Sequence, residues 1–167
     1  MSATLREGNE GDIGALMEVM DRAFDPAYGE AWSAGQCLGM LSLPGVWLSF
    51  AEDGEHTVGF ALSRLLMDEA ELLLLAVDPA ARGQGVGRAL IERTAGIAAE
   101  KGAQRLLLEV REDNRALDLY RGAGFGEIGR RQKYYQGADG TSRDALTLAR
   151  RIERDRPDAL STAPQSR

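Results

Sequence analysis

A chain of 167 residues, 44% of them hydrophobic, can bury one ordinary core, and its even composition argues for a single domain. Its 26 acidic against 20 basic residues leave a formal charge of -6, the wrong sign for a protein that grips nucleic acid through phosphate contacts. The single cysteine, Cys37, excludes an internal disulfide, and no Cys/His spacing fits a metal site.

The chain opens without a charged-then-apolar leader, and no apolar run reaches the ~18 residues of a membrane span. A soluble cytoplasmic protein with neither membrane nor nucleic-acid partner is therefore expected. "TLREG" reads as a first strand, followed by an amphipathic helix from about Asp12, with Ile13, Leu16, Met17 and Met20 at helical spacing. "FDPAYGEAWS" is an irregular connection, and a second helix runs from Ser33 to about Leu41. "VWLSFAEDGEHTVGFALSRLL" predicts two strands about a turn at Asp53 and Gly54. The only histidine, His56, sits beside that turn, a poor place for the base of a nucleophilic triad.

"AELLLLAV" is an almost continuous apolar strand, the pattern of one buried on both faces. The helix after it runs to about Glu100, with Leu90, Ile91, Thr94 and Ile97 on its apolar side. "QRLLLEV" predicts another buried strand, residues 116–121 a short helix, and "FGEIGRRQKYY" and "RDALTLARR" the closing strands. The domain is expected to occupy residues 1–152. The polar stretch 153–167, with two prolines, reads as a disordered tail.

Between the apolar strand and its helix lies "AARGQGVGRAL", with Gly83, Gly85 and Gly87 at alternate positions. Glycine costs about 1 kcal/mol against alanine inside a helix, so three at a helix start need a reason. A strand that feeds a glycine turn and then a helix leaves backbone N–H groups unpaired. Without β-carbons an anion can approach them, and the helix dipole favours its charge. A phosphate-bearing ligand is one reading; a purely structural turn is the other. A Walker loop fails because Arg88-Ala89 stands where Lys-Ser/Thr is needed. A dinucleotide fingerprint lacks its third glycine, at Arg88, although Glu109 ends a following strand about where that fingerprint wants an acid.

"RGQGVG" resembles the Arg/Gln-x-x-Gly-x-Gly/Ala loop of the GNAT N-acetyltransferases, and "LYRGAGF" resembles the family's Leu-Tyr-x-x-x-Gly-Phe segment. "LEVREDN" and "RRQKYYQGADGTSRDAL" are more like the RimI-type members, which acetylate the N-terminal alanine of a small-subunit ribosomal protein. The resemblance implies a mixed α/β (α+β) domain with a twisted central sheet flanked by helices, and acetyl-CoA as co-substrate without metal. It implies that Leu75, Ala76 and Val77 pair with pantetheine through their backbone. It also implies that Gly83, Gln84, Gly85, Val86, Gly87 and Arg88 hold the pyrophosphate.

On the same resemblance Glu109 takes a proton from the amine and Tyr120 gives one to the departing thiolate. Read from the residues alone, Glu109 interrupts "LLLEV", where burial would raise its pKa; a carboxylate paired at a strand end is the alternative. Tyr120 shares a helical face with Ala116, Leu119 and Ala123, so simple core packing is the alternative there. Asn114 is a further coenzyme contact by resemblance, but "NRALDLY" is one residue shorter than usual, so either Asp113 fills the place or the helix start is shortened. Trp32, Tyr134 and Tyr135 resemble residues beside the incoming N-terminus. Asp25 and Glu30 are acidic groups able to attract a basic one.

An α-amine, with a pKa of about 7.8, is roughly 10–15% neutral at pH 7, against about 0.04% for lysine, a difference worth roughly 3.5 kcal/mol. The expected reaction is direct acetyl transfer to a protein N-terminus, by a monomer or weak dimer. A small-molecule amine or a lysine as acceptor, or a non-catalytic acyl-CoA-binding module, stay open at this point.

Overall fold

The computed structural model describes residues 2–137 and 139–153, so residues 154–167 of the expected tail lie outside the described part. Eleven regular elements follow in order: β1 (Thr4–Gly8), α1 (Ile13–Ala23), α2 (Ala34–Leu41), β2 (Val46–Asp53), β3 (His56–Leu66), β4 (Glu69–Val77), α3 (Val86–Glu100), β5 (Arg105–Arg111), α4 (Leu117–Gly122), β6 (Gly126–Gln136) and β7 (Ser142–Arg151). The strands form one sheet in the order β1-β2-β3-β4-β5-β7-β6. Every neighbouring pair is antiparallel except β4 and β5.

The boundaries follow local chemistry. Ser33 caps α2 by accepting from the Gln36 N–H, while the Gln36 side chain accepts from the Ser33 N–H, a reciprocal pair that starts the helix at Ala34. Gly54 takes φ +60° in the β2–β3 turn, the conformation that short hairpins favour.

Two apolar clusters, one on each face, hold the sheet between helices. Leu16, Val19 and Met20 of α1 and Cys37 of α2 pack with Leu48, Phe50, Phe60 and Leu62. Leu90, Ile91 and Ala98 of α3, with Leu117 and Tyr120 of α4, pack with Leu72, Leu106, Leu108 and Leu146. The apolar run of β4 therefore does meet both cores, but not by simple alternation. In its pairing with β3, Leu62 faces Leu74 and Ser63 faces Leu72, so Leu73 is an extra residue in the ladder. Before this bulge Leu72 packs into the α3 core; after it Leu74 and Ala76 pack into the α1 core.

The bulge accompanies a break in the sheet. Parallel pairing joins only Glu69–Glu71 of β4 to Arg105–Leu107 of β5. Beyond it β4 stays paired to β3 and β5 to β7, while nothing pairs Leu72–Val77 to the facing edge of β5. A sheet open along an internal seam exposes backbone N–H and C=O groups that want a partner.

Packing at the head of α3 is tight enough to test. A β-carbon on Gly59 would stand 2.9 Å from the Ala76 carbonyl oxygen, 3.1 Å from Leu90 and 3.2 Å from Val86. Gly59→Ala is expected to cost about 1–3 kcal/mol by overpacking. Gly96, exposed in the middle of α3 with open space around it, has no such constraint. Gly96→Ala should stabilise by about 0.5–1 kcal/mol. Urea denaturation of both variants measures the two opposite signs.

Candidate active site

The turn after β4 is built by local hydrogen bonds. Asp78 accepts from the Ala80 N–H at 3.0 Å, starting the single 3₁₀ turn Pro79–Ala81, and pairs with Arg22 Nε of α1 at 2.6 Å. The Ala80 N–H, more than Arg22, holds the Asp78 carboxyl below the usual carboxylate range. The three glycines then do different work. Gly83 and Gly85 adopt φ of +76° and +83°, left-handed conformations that a side chain would strain, and Gly85 caps α3. Gly87 is an ordinary helical residue in a crowded place: a β-carbon there would meet Leu119 of α4 at 2.9 Å. The alternate glycines thus turn the chain twice and then let two helices approach.

This turn stands at one end of a cleft of about 610 Å³ at the open seam. Leu75, Ala76 and Val77 contribute to its lining from β4, and Gly83, Gly85, Val86, Gly87 and Arg88 from the turn and the head of α3. Asn114, Ala116, Leu119 and Tyr120 contribute from the segment after β5, and Asp25, Tyr28 and Glu30 from the α1–α2 loop. Gln84 is absent from the lining although it lies in the glycine turn.

Tyr120 is buried, its ring edge-on to Phe125 at 5.9 Å. Burial, helped by the nearby Glu30 charge, pushes its phenol well above the ordinary tyrosine value. Core packing does not take Tyr120 out of the cleft: its ring belongs to the α3-side core and its residue also lines the cleft.

Asn114 explains the short spacing before Tyr120. Its N–H donates to the Arg111 carbonyl and its side-chain oxygen accepts from the Ala116 N–H at 2.9 Å, so α4 starts one tight turn after β5. Asp113 is engaged elsewhere, with Arg111 and Arg143. Burial opposes its charge, but the two guanidiniums outweigh it and hold the carboxyl below the usual range.

Glu109 is not in the apolar interior. Alternation along β5 buries Leu108 and Val110 and turns Glu109 the other way, leaving its side chain 28% exposed and 3.8 Å from Arg131 Nε. The expectation of a carboxylate buried among leucines fails because the strand's second face carries polar groups. Tyr135 is half-buried nearby, its phenol pushed up to about 12 by burial and then by the charges of Glu109 and Glu30. Tyr134 is exposed and packs edge-on to Tyr135 at 5.2 Å. Tyr135 helps line a second hollow of about 220 Å³ that shares Tyr28 and Arg111 with the main cleft. Trp32 lines neither hollow and instead packs against the α1-side core.

One residue of the site was missed in the sequence. Arg111, the last residue of β5, is buried and forms ion pairs with Glu30 and Asp113, while its guanidinium lies 3.7 Å from the Tyr28 ring centre. It ties the α1–α2 loop to the central sheet. The signal was a charged residue ending an apolar strand in "LEVR". Glu30 is thus held in place through Oε1 by Arg111, and Asp25 is occupied in accepting from the Ala27 N–H at 2.9 Å.

Among the described residues no group of three or more His, Cys, Asp and Glu is placed to hold a metal ion, and no helix is long and apolar enough to cross a membrane. A mixed sheet opened between its parallel strands, with a glycine turn capping a helix at the opening, defines an acyltransferase of the GNAT architecture. The chain belongs to the acetyltransferase (GNAT) family, whose model matches residues 15–125. It is 33% identical over 141 residues to the [ribosomal protein bS18]-alanine N-acetyltransferase of Haemophilus ducreyi, a match that covers 84% of this chain and 94% of that one. With the enzyme of that name from Escherichia coli K12 it shares 42% over 91 residues, 54% of this chain and 61% of the relative. The crystal structure of the E. coli ribosomal-protein-S18-alanine N-acetyltransferase superposes with a TM-score of 0.82 at 29% identity, covering 94% and 98% of the two chains. The PaiA N-acetyltransferase of Thermoplasma acidophilum, solved with coenzyme A, shares the fold, with a TM-score of 0.72 at 18% identity over 90% and 99% of the chains.

Removing Arg111 would leave two carboxylates without their shared cation. Arg111→Met is expected to cost about 3 kcal/mol, the low end for a broken buried pair because Glu30 and Asp113 keep some contact with water. The shift of the denaturation midpoint measures it.

Proposed function

We propose that the protein transfers the acetyl group of acetyl-CoA to the α-amine of a protein N-terminus, the N-terminal alanine of a small-subunit ribosomal protein. The observation that carries this reading is the unpaired β4 edge, whose Leu75–Val77 line one cleft with the glycine turn and Tyr120. A pantetheine arm is an extended chain with amides at intervals, and it completes such an edge as an added strand would. On this reading Leu75–Val77 pair with pantetheine, and the amides at the head of α3 receive the pyrophosphate. Gln84 contributes only through the turn's backbone. Arg88 is already engaged with Glu92 and the Gly122 carbonyl, and acts by its position near the anion.

The thioester end then lies beside Tyr120. The neutral amine attacks the acetyl carbon, the C–N bond forms, the C–S bond breaks, and the sulfur leaves as thiolate. Tyr120 donates its phenolic hydrogen to that sulfur, and Glu109 accepts the proton lost from the amine, by way of water. Asn114 shapes the coenzyme side of the cleft, and Tyr134 and Tyr135 flank the acceptor. Trp32 acts on the acceptor only by bracing the α1–α2 loop. The likeness to the H. ducreyi and E. coli enzymes supports the choice of acceptor. A cytoplasmic location and action as a monomer or weak dimer belong to the same reading.

Cys37 is fully buried in the α1-side core, away from the cleft lining, which favours direct attack over an acyl-enzyme. Intact mass after mixing with acetyl-CoA alone should show no adduct; an acetylated Cys37 overturns direct transfer.

Acetyl-CoA turnover against peptides varied at the first residue, with free lysine and polyamines alongside, tests the acceptor. Alanine-first peptides should be preferred, and transfer only to polyamines or lysine would sink the reading. Glu109→Gln combined with Tyr120→Phe should lower kcat by about 10²-fold or more while CoA affinity survives. The kcat/KM profile should rise through the α-amine pKa of about 7.8. It should show no fall near pH 10, because burial keeps the Tyr120 phenol protonated beyond that point.

A further inference from the structure

Glu30 is one of three acidic residues that line the main cleft together with Tyr120. Asp25 and Asp113 also line it, but Asp25 is spent on its own turn and Asp113 is shared between Arg111 and Arg143. Glu109, the carboxylate assigned to proton removal, lies outside that lining, beside Arg131. Glu30 reaches the cleft from the α1–α2 loop, four residues before the start of α2 in a chain segment rich in turn formers, and a loop alone positions a carboxylate poorly. Arg111 supplies the missing rigidity. Its side chain is 8% exposed, it rises from the central strand β5, and it donates to Glu30 Oε1. Tyr28 covers the same guanidinium from the side. Glu30 Oε2 takes no hydrogen bond from a described residue, and the Glu30 side chain keeps 19% of its surface.

A carboxylate with one oxygen locked and the other unclaimed, set where the two hollows meet at Tyr28 and Arg111, is a receptor for a primary ammonium group. We propose that Glu30 is the acceptor-binding residue that receives the incoming α-ammonium on Oε2 and sets its approach to the acetyl carbon, an assignment that rests on the acetyl-transfer reading above. Arg111 is its positioning residue. The buried Arg111 cation also offsets part of the Glu30 charge, so the bound amine is oriented without being strongly held in its protonated form. Proton removal stays with Glu109. The site selects for a free amino terminus: an amide nitrogen carries no positive charge and offers Oε2 at most one neutral N–H, so acetylated product is held more weakly here and leaves.

The full-length protein saturated with CoA is titrated calorimetrically with an alanine-first hexapeptide and with the same peptide already N-acetylated. Glu30→Gln should weaken the free-amine peptide about tenfold or more, the worth of one charge-assisted contact. The acetylated peptide should stay within about twofold. Equal weakening of both means that Glu30 only builds the wall, and no weakening of either means that the ammonium lies elsewhere; each overturns the proposal. Should Glu30→Gln not fold, Glu30→Asp, which keeps the charge opposite Arg111 and withdraws Oε2 by one methylene, should show the same selective loss at smaller size. Equal loss on both peptides again overturns it. Turnover of the unmodified protein separates the two claims. Binding of the free amine through Glu30 without acetyl transfer rejects the enzymatic reading and leaves the ammonium site standing. Failure to bind either peptide rejects both.

Discussion

Parallel pairing between β4 and β5 stops after Glu71 and Leu107, and the rest of the architecture follows from that interruption. A sheet that stayed zipped would have no cleft, and Leu75–Val77 would spend their outward backbone groups on β5. The extra residue at Leu73 lets the strand change which core it serves in mid-course: Leu72 packs toward α3, Leu74 and Ala76 toward α1. Each half of β4 is thereby buried on its own terms while its free edge stays available. Apolar packing on both faces offsets the missing ladder, which is how a sheet can tolerate an internal seam at all.

The opening is bounded by groups that cannot drift. α3 rests on β3 through Gly59, close to the Ala76 carbonyl, so the head of the helix is registered against the strand whose edge is exposed. Gly87 allows α4 to come up against the same helix, which brings Tyr120 under the cleft. On the far side Arg111 draws the α1–α2 loop onto β5 through Glu30 and Tyr28. That network is polar, yet its charges are matched, so its main effect is to fix the geometry of an otherwise irregular segment. Burial at this junction, helped by the Glu30 charge, holds the Tyr120 phenol above its ordinary value.

The strand and helix order was legible because apolar periodicity and punctuation agree along the chain. The capping pair Ser33/Gln36 and the Gly54 turn carry their conformations in their own residue types, and the glycine turn stood out as a helix start that intrinsic propensity disfavours. The glycines themselves were not equivalent, since Gly83 and Gly85 answer to backbone torsion and Gly87 to a neighbour more than thirty positions away. Glu109 was placed on the right strand but in the wrong surroundings, because an apolar run in sequence says nothing about which polar groups face its alternate residues. Trp32, read from the sequence as an acceptor contact, packs against the α1-side core.

By itself, then, the sequence determined the elements, the family motifs and the glycine turn at the head of α3, all of which depend on residues within a few positions of one another. The tertiary structure alone decided where the sheet opens, that Glu30 meets Arg111 across the fold, and that Glu30 lines the cleft while Glu109 does not. Those are contacts between segments far apart in the chain. Their energy comes from packing and charge pairing that no local pattern encodes, so they exist only once both cores have closed on the sheet.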